Sequence, residues 1–151
     1  MSETAEAAAW LRAQAEADIV AAEEAGLSSP APWAATGEDI VSATDDPFYR
    51  GICAANANGA EAEHIVRHDP LTEAARAESV LAVLDLYEQT VAAVERSPLP
   101  GSLCGGLQPR QAGVSARDYL DARRGLAALG PVVRLLAAGY RRREGWKESW
   151  A

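Results

Sequence analysis

Large apolar side chains are scarce in this sequence of 151 residues: Phe and Met occur once each, and aromatic residues make up 6% of the chain. Alanine supplies 33 positions, so much of the 48% hydrophobic content is single methyl groups that bury little area. A core built this way is thin and mostly helical, because alanine has the strongest helix propensity. Two cysteines, Cys53 and Cys104, are too few for a disulfide framework and lack the paired spacing of a zinc ribbon, so they read as reduced thiols. There is no apolar run of about 18 residues to span a bilayer. The N-terminal MSETAEAAAWLRAQAEADIV carries acids where a signal peptide carries bases, which predicts a soluble cytoplasmic protein with no membrane partner. The motifs GxGxxG, GxxxxGK[ST] and GxSxG are absent, so nucleotide-binding and hydrolase chemistries lack their usual entry points.

A net charge of -8 conceals a polarity along the chain. Residues 1–100 hold 5 basic and 18 acidic side chains, a net of -13, whereas residues 101–151 hold 9 basic and 4 acidic, a net of +5. The acidic body weighs against nucleic acid and anionic membrane as partners, since it repels phosphate. The basic third ends in Arg141, Arg142, Arg143 and Lys147, interleaved with Tyr140, Trp146 and Trp150, a pattern that in isolation fits a phosphate or RNA contact. The alternative is structural: arginines at a helix C-terminus complement its dipole. Trp146 and Trp150, four apart, then either form a stripe for a protein partner or fold back on their own core.

The length corresponds to a single domain, residues 1–151. From Glu3 to about Ala25 the chain reads as a helix with Trp10, Leu11, Ala17, Val20 and Ala21 near one stripe, stopped by Gly26. Ser28-Ser29-Pro30-Ala31-Pro32 turns the chain into Trp33. The segments PWAAT, DIVSAT and FYRGICA, separated by Gly37-Glu38 and Asp45-Asp46-Pro47, predict a small three-stranded antiparallel meander. After Asn58-Gly59 a short helix carries Ile65 and Val66. Asp69-Pro70 then starts a long helix running to about Arg96, with Asp as N-cap and Pro at the first helical position. Its Ala77, Val80, Leu84, Tyr87, Val91 and Val94 form a heptad seam. Residues 97–114, with four Gly and three Pro, read as a long mobile loop. From Ser115 a second seam follows through Tyr119, Leu126, Leu129, Val133, Leu136 and Tyr140, with Gly130-Pro131 predicting a kink or two abutting helices. The two seams can pair as antiparallel helices within one chain, or across a homodimer through Val80 to Val94.

Both histidines fall in His64-Ile65-Val66-Arg67-His68-Asp69-Pro70. On a helix His64 and His68 share a face, a spacing suited to two metal ligands, with Cys53, Cys104, Glu61 or Asp69 as sources of further ones. Ile65 stands where a zincin motif requires Glu. The structural reading of the same residues is that Asp69 caps the long helix, Arg67 pairs with a carboxylate and His68 packs beside the helix start. Eighteen acids in the first hundred residues single out no catalytic pair. Cys104, in LCGG, has no basic neighbour within five residues to favour its thiolate.

Trp10-Leu11-Arg12, Pro32-Trp33, the His64–Pro70 segment and the ending from Val133 through Trp150 together resemble a family of short actinobacterial and phage-associated proteins of unknown function. The resemblance spans nearly the whole chain and implies a layout rather than a mechanism. Relatives with more Cys and a further His in the loop before the final helix would hold zinc there. This sequence has only Cys104 in that loop, and its Tyr140-Arg141-Arg142-Arg143 replaces an acidic, His-containing tail.

The expectation is therefore an α+β domain: an N-terminal helix, a small meander, a short helix, then long antiparallel helices. Functionally it reads as a small non-enzymatic interaction or regulatory protein, of mobile-element origin, with a protein partner and no cofactor. Arg67, His68, Asp69, Arg141, Arg142, Arg143, Trp146 and Trp150 are the candidate partner contacts. The alternatives are a metal-binding protein or metal-dependent enzyme using His64 and His68, with zinc as the metal, and nucleic-acid contact through the basic tail.

Overall fold

A computed structural model describes residues 2–28, 32–36, 39–42, 52–54, 59–96 and 116–150. Helix α1 spans Glu3–Ser28. Ser2 caps it, its hydroxyl accepting the Ala5 amide at 3.2 Å and its carbonyl accepting the Glu6 amide at 3.0 Å. The helix does not stop at Gly26 as the sequence predicts. It continues to Ser28, where Pro30 disfavours the α conformation for Ser29. The buried stripe also differs from the expected one: Ala7, Ala8, Leu11, Ala15 and Ala22 are covered, while Ala17 and Ala21 are exposed and Val20 is 53% exposed. Positions 7, 11 and 15 recur every four residues, a single helical face. That face is mostly alanine with Leu11 as its one large side chain, and Val20 is left in solvent.

The chain gathers into two compact units, residues 12–81 and residues 1–11 with 82–151. In the first, β1 (Trp33–Thr36), β2 (Asp39–Ser42) and β3 (Ile52–Ala54) are hydrogen-bonded in that order. Both ladders are antiparallel. Thr36 pairs with Asp39 across Gly37-Glu38, the shortest common hairpin connection, and the second ladder shifts register between Ile40 and Val41. Helix α2 (Gly59–Arg67) packs on β1 and β2. Ile40 and Ala62 are buried at that contact, and Trp33, Ile65 and Val66 close around them. A sheet this short has one face to bury, and α2 is the element that buries it. Helix α3 spans Pro70–Arg96, the bounds expected from Asp69-Pro70.

In the second unit α3 meets α4, which spans Ala116–Gly139 and is followed by a terminal 3-10 turn at Glu148–Trp150. The Thr90 hydroxyl is satisfied by the Leu86 carbonyl at 2.7 Å, while a Cβ added to Gly125 of α4 would lie 3.4 Å from the Thr90 methyl. Glycine at 125 thus suits the close approach of α4 to α3. Seam residues Ala77, Val80, Leu84 and Tyr87 are buried, as are Tyr119 and Val133. Val80, Leu84 and Tyr87 of the expected Val80 to Val94 seam are thus covered within the chain, while Val91 and Val94 are half-buried.

Gly130-Pro131 does not divide the last helix. Pro131 lies inside α4, and both it and Ala127, whose carbonyl loses the amide that proline lacks, are exposed. The unmade bond falls on the wetted side, where water can take it. The α+β class thus holds at the coarse level, with four helices and a small antiparallel sheet among the described residues. The expected loop 97–114, Cys104 and the first part of FYRGICA lie outside the described residues; Cys53 lies on β3. No helix among the described residues is long and apolar enough to cross a membrane.

Leu84 is fully buried and Leu135 is 74% exposed. Leu84→Ala is expected to cost about 2–5 kcal/mol and Leu135→Ala less than about 0.5 kcal/mol, measured by urea denaturation. Equal losses would contradict the assigned core.

Candidate functional site

The corner between α2 and α3 is set by Asp69. Its Oδ1 accepts the Thr72 amide at 2.7 Å and its carbonyl accepts the Glu73 amide at 3.0 Å, the geometry of an N-cap with Pro70 at the first helical position. Asp69 is buried, which fits a cap and removes it as a partner contact. One residue earlier, His68 stands where a hydrophobic staple would place an apolar side chain, and Glu73 stands where its mate would be. Here the staple is polar: His68 Nδ1 lies 2.6 Å from Glu73 Oε1. Arg76 donates to the same carboxylate oxygen and its Nη1 lies 3.0 Å from His68 Nδ1. A single ring nitrogen cannot donate to Glu73 and accept from Arg76 at once. A carboxylate only accepts, so the shorter contact is satisfied by the tautomer with the proton on Nδ1, which leaves Nε2 with the lone pair when the ring is neutral.

His64 lies one turn earlier, its ring centroid 4.4 Å from that of His68 and the planes inclined by 49°. Both rings are exposed. Arg67 pairs with Glu63 on the same helix, as expected for a carboxylate partner. The two histidines are thus brought together, but among the described residues no group of three or more His, Cys, Asp or Glu gathers as a metal-holding set.

The second candidate site, the basic and aromatic tail, folds back within its own unit. Trp150 is only 2% exposed. Its ring centroid lies 5.2 Å from that of Trp10 and 5.6 Å from that of Trp146, and Trp10 and Trp146 are 5.8 Å apart, all in the tilted or edge arrangements that aromatic quadrupoles favour. Trp10 Nε1 donates to the Glu144 carbonyl at 3.0 Å. Lys147 Nζ is 2.8 Å from Glu6 Oε2 and 5.5 Å from the Trp150 ring centroid. Gly145 carries the turn at φ 84°, and a Cβ there would come within 2.8 Å of Trp10 Nε1. Trp150 is therefore a core residue and offers no surface to a partner or a base. Arg141, Arg142 and Arg143 remain exposed just past the end of α4, Arg143 over the Tyr140 ring at 5.8 Å.

A family model described as a family of unknown function, DUF6221, matches residues 4–151. The chain belongs to DUF6221. No curated protein and no solved structure matches it. Since the match begins at Thr4 and runs through the terminal turn, the Trp10 fold-back and the Asp69 corner both lie inside the DUF6221 region.

Sequence reasoning missed two partners in this DUF6221 chain. Glu73 and Arg76 lie five and eight residues beyond His68. The available signal was the staple offset, with a carboxylate at the fourth helical position after a His preceding the cap. Trp10 as the floor of the tail had no local signal, because it lies more than 130 residues from its mates. A third feature, a groove of about 220 Å³, is lined by Ala5, Ala8, Tyr87 and Val91 with Glu88 and Glu95 among its walls.

Gly145→Ala is expected to destabilise the protein by at least about 1–2 kcal/mol from its left-handed backbone alone, whereas Gly139→Ala, with open space around it, should stay within about 0.5 kcal/mol. Denaturation followed by tryptophan fluorescence compares the two.

The Lys147 hydrogen bond and charge hold the Glu6 carboxyl below its ordinary pKa of 4.5. A carboxylate with a depressed folded-state pKa contributes stability above its unfolded pKa and loses that contribution as pH falls through the folded value. Wild type should therefore lose more Tm than Glu6→Gln on acidification from pH 6 into the range below 4.5. Parallel Tm curves would remove the Glu6–Lys147 pair as a stabilising contact.

Proposed function

We propose that this DUF6221 protein is a small non-enzymatic interaction protein whose contact surface is the exposed side of α4. The observation that carries this reading is an uncovered apolar stripe on a basic helix. Leu120, Ala127, Pro131 and Leu135 are exposed and spaced 7, 4 and 4, which keeps them on one face, with Ala128 and Val132 bordering it. Leu120 is 51% exposed, Val132 40% and Leu135 74%. Isolated surface leucines need no explanation, whereas an aligned set on one helix is the form a helix-in-groove or helix-on-helix contact takes.

Charge identifies the kind of partner. Arg117 and Arg124 share the face of the stripe at helical spacing, Arg134 borders it, and Arg141 and Arg142 extend the basic surface beyond the helix end. Two such faces brought together would oppose arginine with arginine. An acidic amphipathic helix of another protein complements both the stripe and its flanks. Steering by these charges governs the association rate, and the leucines govern how long the complex lasts.

Leu135→Glu places a charge in the stripe at an exposed site that the fold does not depend on. Partners captured by wild type from the producing cells are expected to be lost with Leu135→Glu while the urea midpoint is unchanged. A set of partners identical for both proteins would overturn α4 as the contact surface.

A further inference from the structure

We infer that His64 and His68 form a binding site for one divalent transition-metal ion of the zinc, nickel or copper class, held through the Nε2 atom of His68. Three observations converge on this. The rings are four residues apart at the end of α2, and their centroids are 4.4 Å apart. Two imidazoles that each bind one ion at roughly 2.0–2.1 Å, with an angle near 90–110° between them, hold their centroids about 4.5–5 Å apart. The observed centroid separation is close to that range.

The second observation is the orientation of His68. A histidine ligand works best when its other ring nitrogen donates to a carboxylate or carbonyl, which fixes the tautomer and raises the basicity of the binding nitrogen. Glu73 supplies that carboxylate at 2.6 Å from Nδ1. Glu73 is in turn held by Arg76, so the ring has an outer shell before any ion arrives.

The third is charge. An exposed histidine pair beside two unpaired guanidinium groups would repel a dication. Here Arg67 is paired with Glu63 and Arg76 with Glu73, so the two arginines and two glutamates around the rings cancel. Asp69 is turned inward to the start of α3. Imidazole nitrogens select borderline transition ions over magnesium and calcium, which require oxygen ligands. With two protein nitrogens, the ion keeps coordination positions for water or for a ligand atom from elsewhere. Such a site is distinct from the α4 surface and stands or falls separately from it.

Zinc chloride titrated into untagged full-length protein by calorimetry near neutral pH tests the inference. The expected result is one ion per chain with half-saturation at micromolar concentration, lost in His64→Ala and in His68→Ala, and weakened roughly 10–100-fold in Glu73→Gln. Cadmium-113 in place of zinc, with nitrogen-15 NMR of the rings, reports the bonded atom directly: coupling to His68 Nε2 is expected and coupling to Nδ1 is not. Binding only at millimolar zinc, or binding that survives both alanine substitutions and so reports a cysteine site, would overturn it.

Discussion

The close approach of alanine-faced helices is the constraint on which this structure depends. With 33 alanines and only nine aromatic residues, the chain cannot fill wide spaces between elements, so its helices present small residues where they are covered. Ala7, Ala8, Ala15, Ala22, Ala77 and Ala137 are all buried. Among the described residues, Leu11, Ile40, Leu84 and Val133 are fully buried large side chains, with Trp150 close behind. Each methyl group stabilises little by transfer from water, but small residues bring backbones near enough for dispersion between many atoms. Gly125, where an added Cβ would lie 3.4 Å from the Thr90 methyl, follows the same rule. Where the chain needs bulk, it takes it from tryptophan, and it places three of its four in one cluster at the C-terminal turn.

That cluster has a defect which says how it is held. Trp150 Nε1 is buried without a hydrogen-bond partner, a deficit of about 1–3 kcal/mol. The indole is retained there because burying its ring area outweighs the orphaned donor. Polar links then fix the turn around it, through Trp10 to Glu144 and Lys147 to Glu6. The corner at Asp69 reverses this balance. There the cap and the His68–Glu73–Arg76 contacts are polar and the apolar content is small, so hydrogen-bond geometry sets where α3 begins. A side chain oriented by such bonds is more constrained than one on an open helix face, which is what makes the histidine pair chemically distinct.

The parts of the fold legible in the sequence are those with a local cause. Asp69-Pro70 marks the start of α3 to the residue, because cap and proline chemistry act within one turn. The seam from Ala77 to Tyr87 is legible because heptad spacing records which side is covered. The stripe on α1 was not: in a run of alanines every face is nearly equally apolar, and only the neighbouring helix decides which is buried. Gly130-Pro131 misleads for a related reason. A proline costs its helix one bond and a steric adjustment, and at an exposed position solvent absorbs part of that cost. At the site, His64 with His68 follows from four-residue spacing, whereas the tautomer depends on Glu73, whose role is visible only once the cap is placed.

The charge polarity of the sequence takes on a specific meaning on α4. A basic segment in an acidic protein is often explained by attraction within the fold, and Lys147 with Glu6 is such a case. Three of the four α4 arginines divide differently: Arg117 and Arg124 are near Asp121 of their own helix, and Arg134 reaches the Thr4 hydroxyl at 3.3 Å. All three side chains remain largely in water, where such pairs contribute little stability. On the proposed reading, their place beside Leu120, Pro131 and Leu135 serves selectivity. In that proposal an apolar stripe alone would invite self-association, and the arginines beside it would make a second copy of the same face an unfavourable partner while leaving an acidic helix a favourable one.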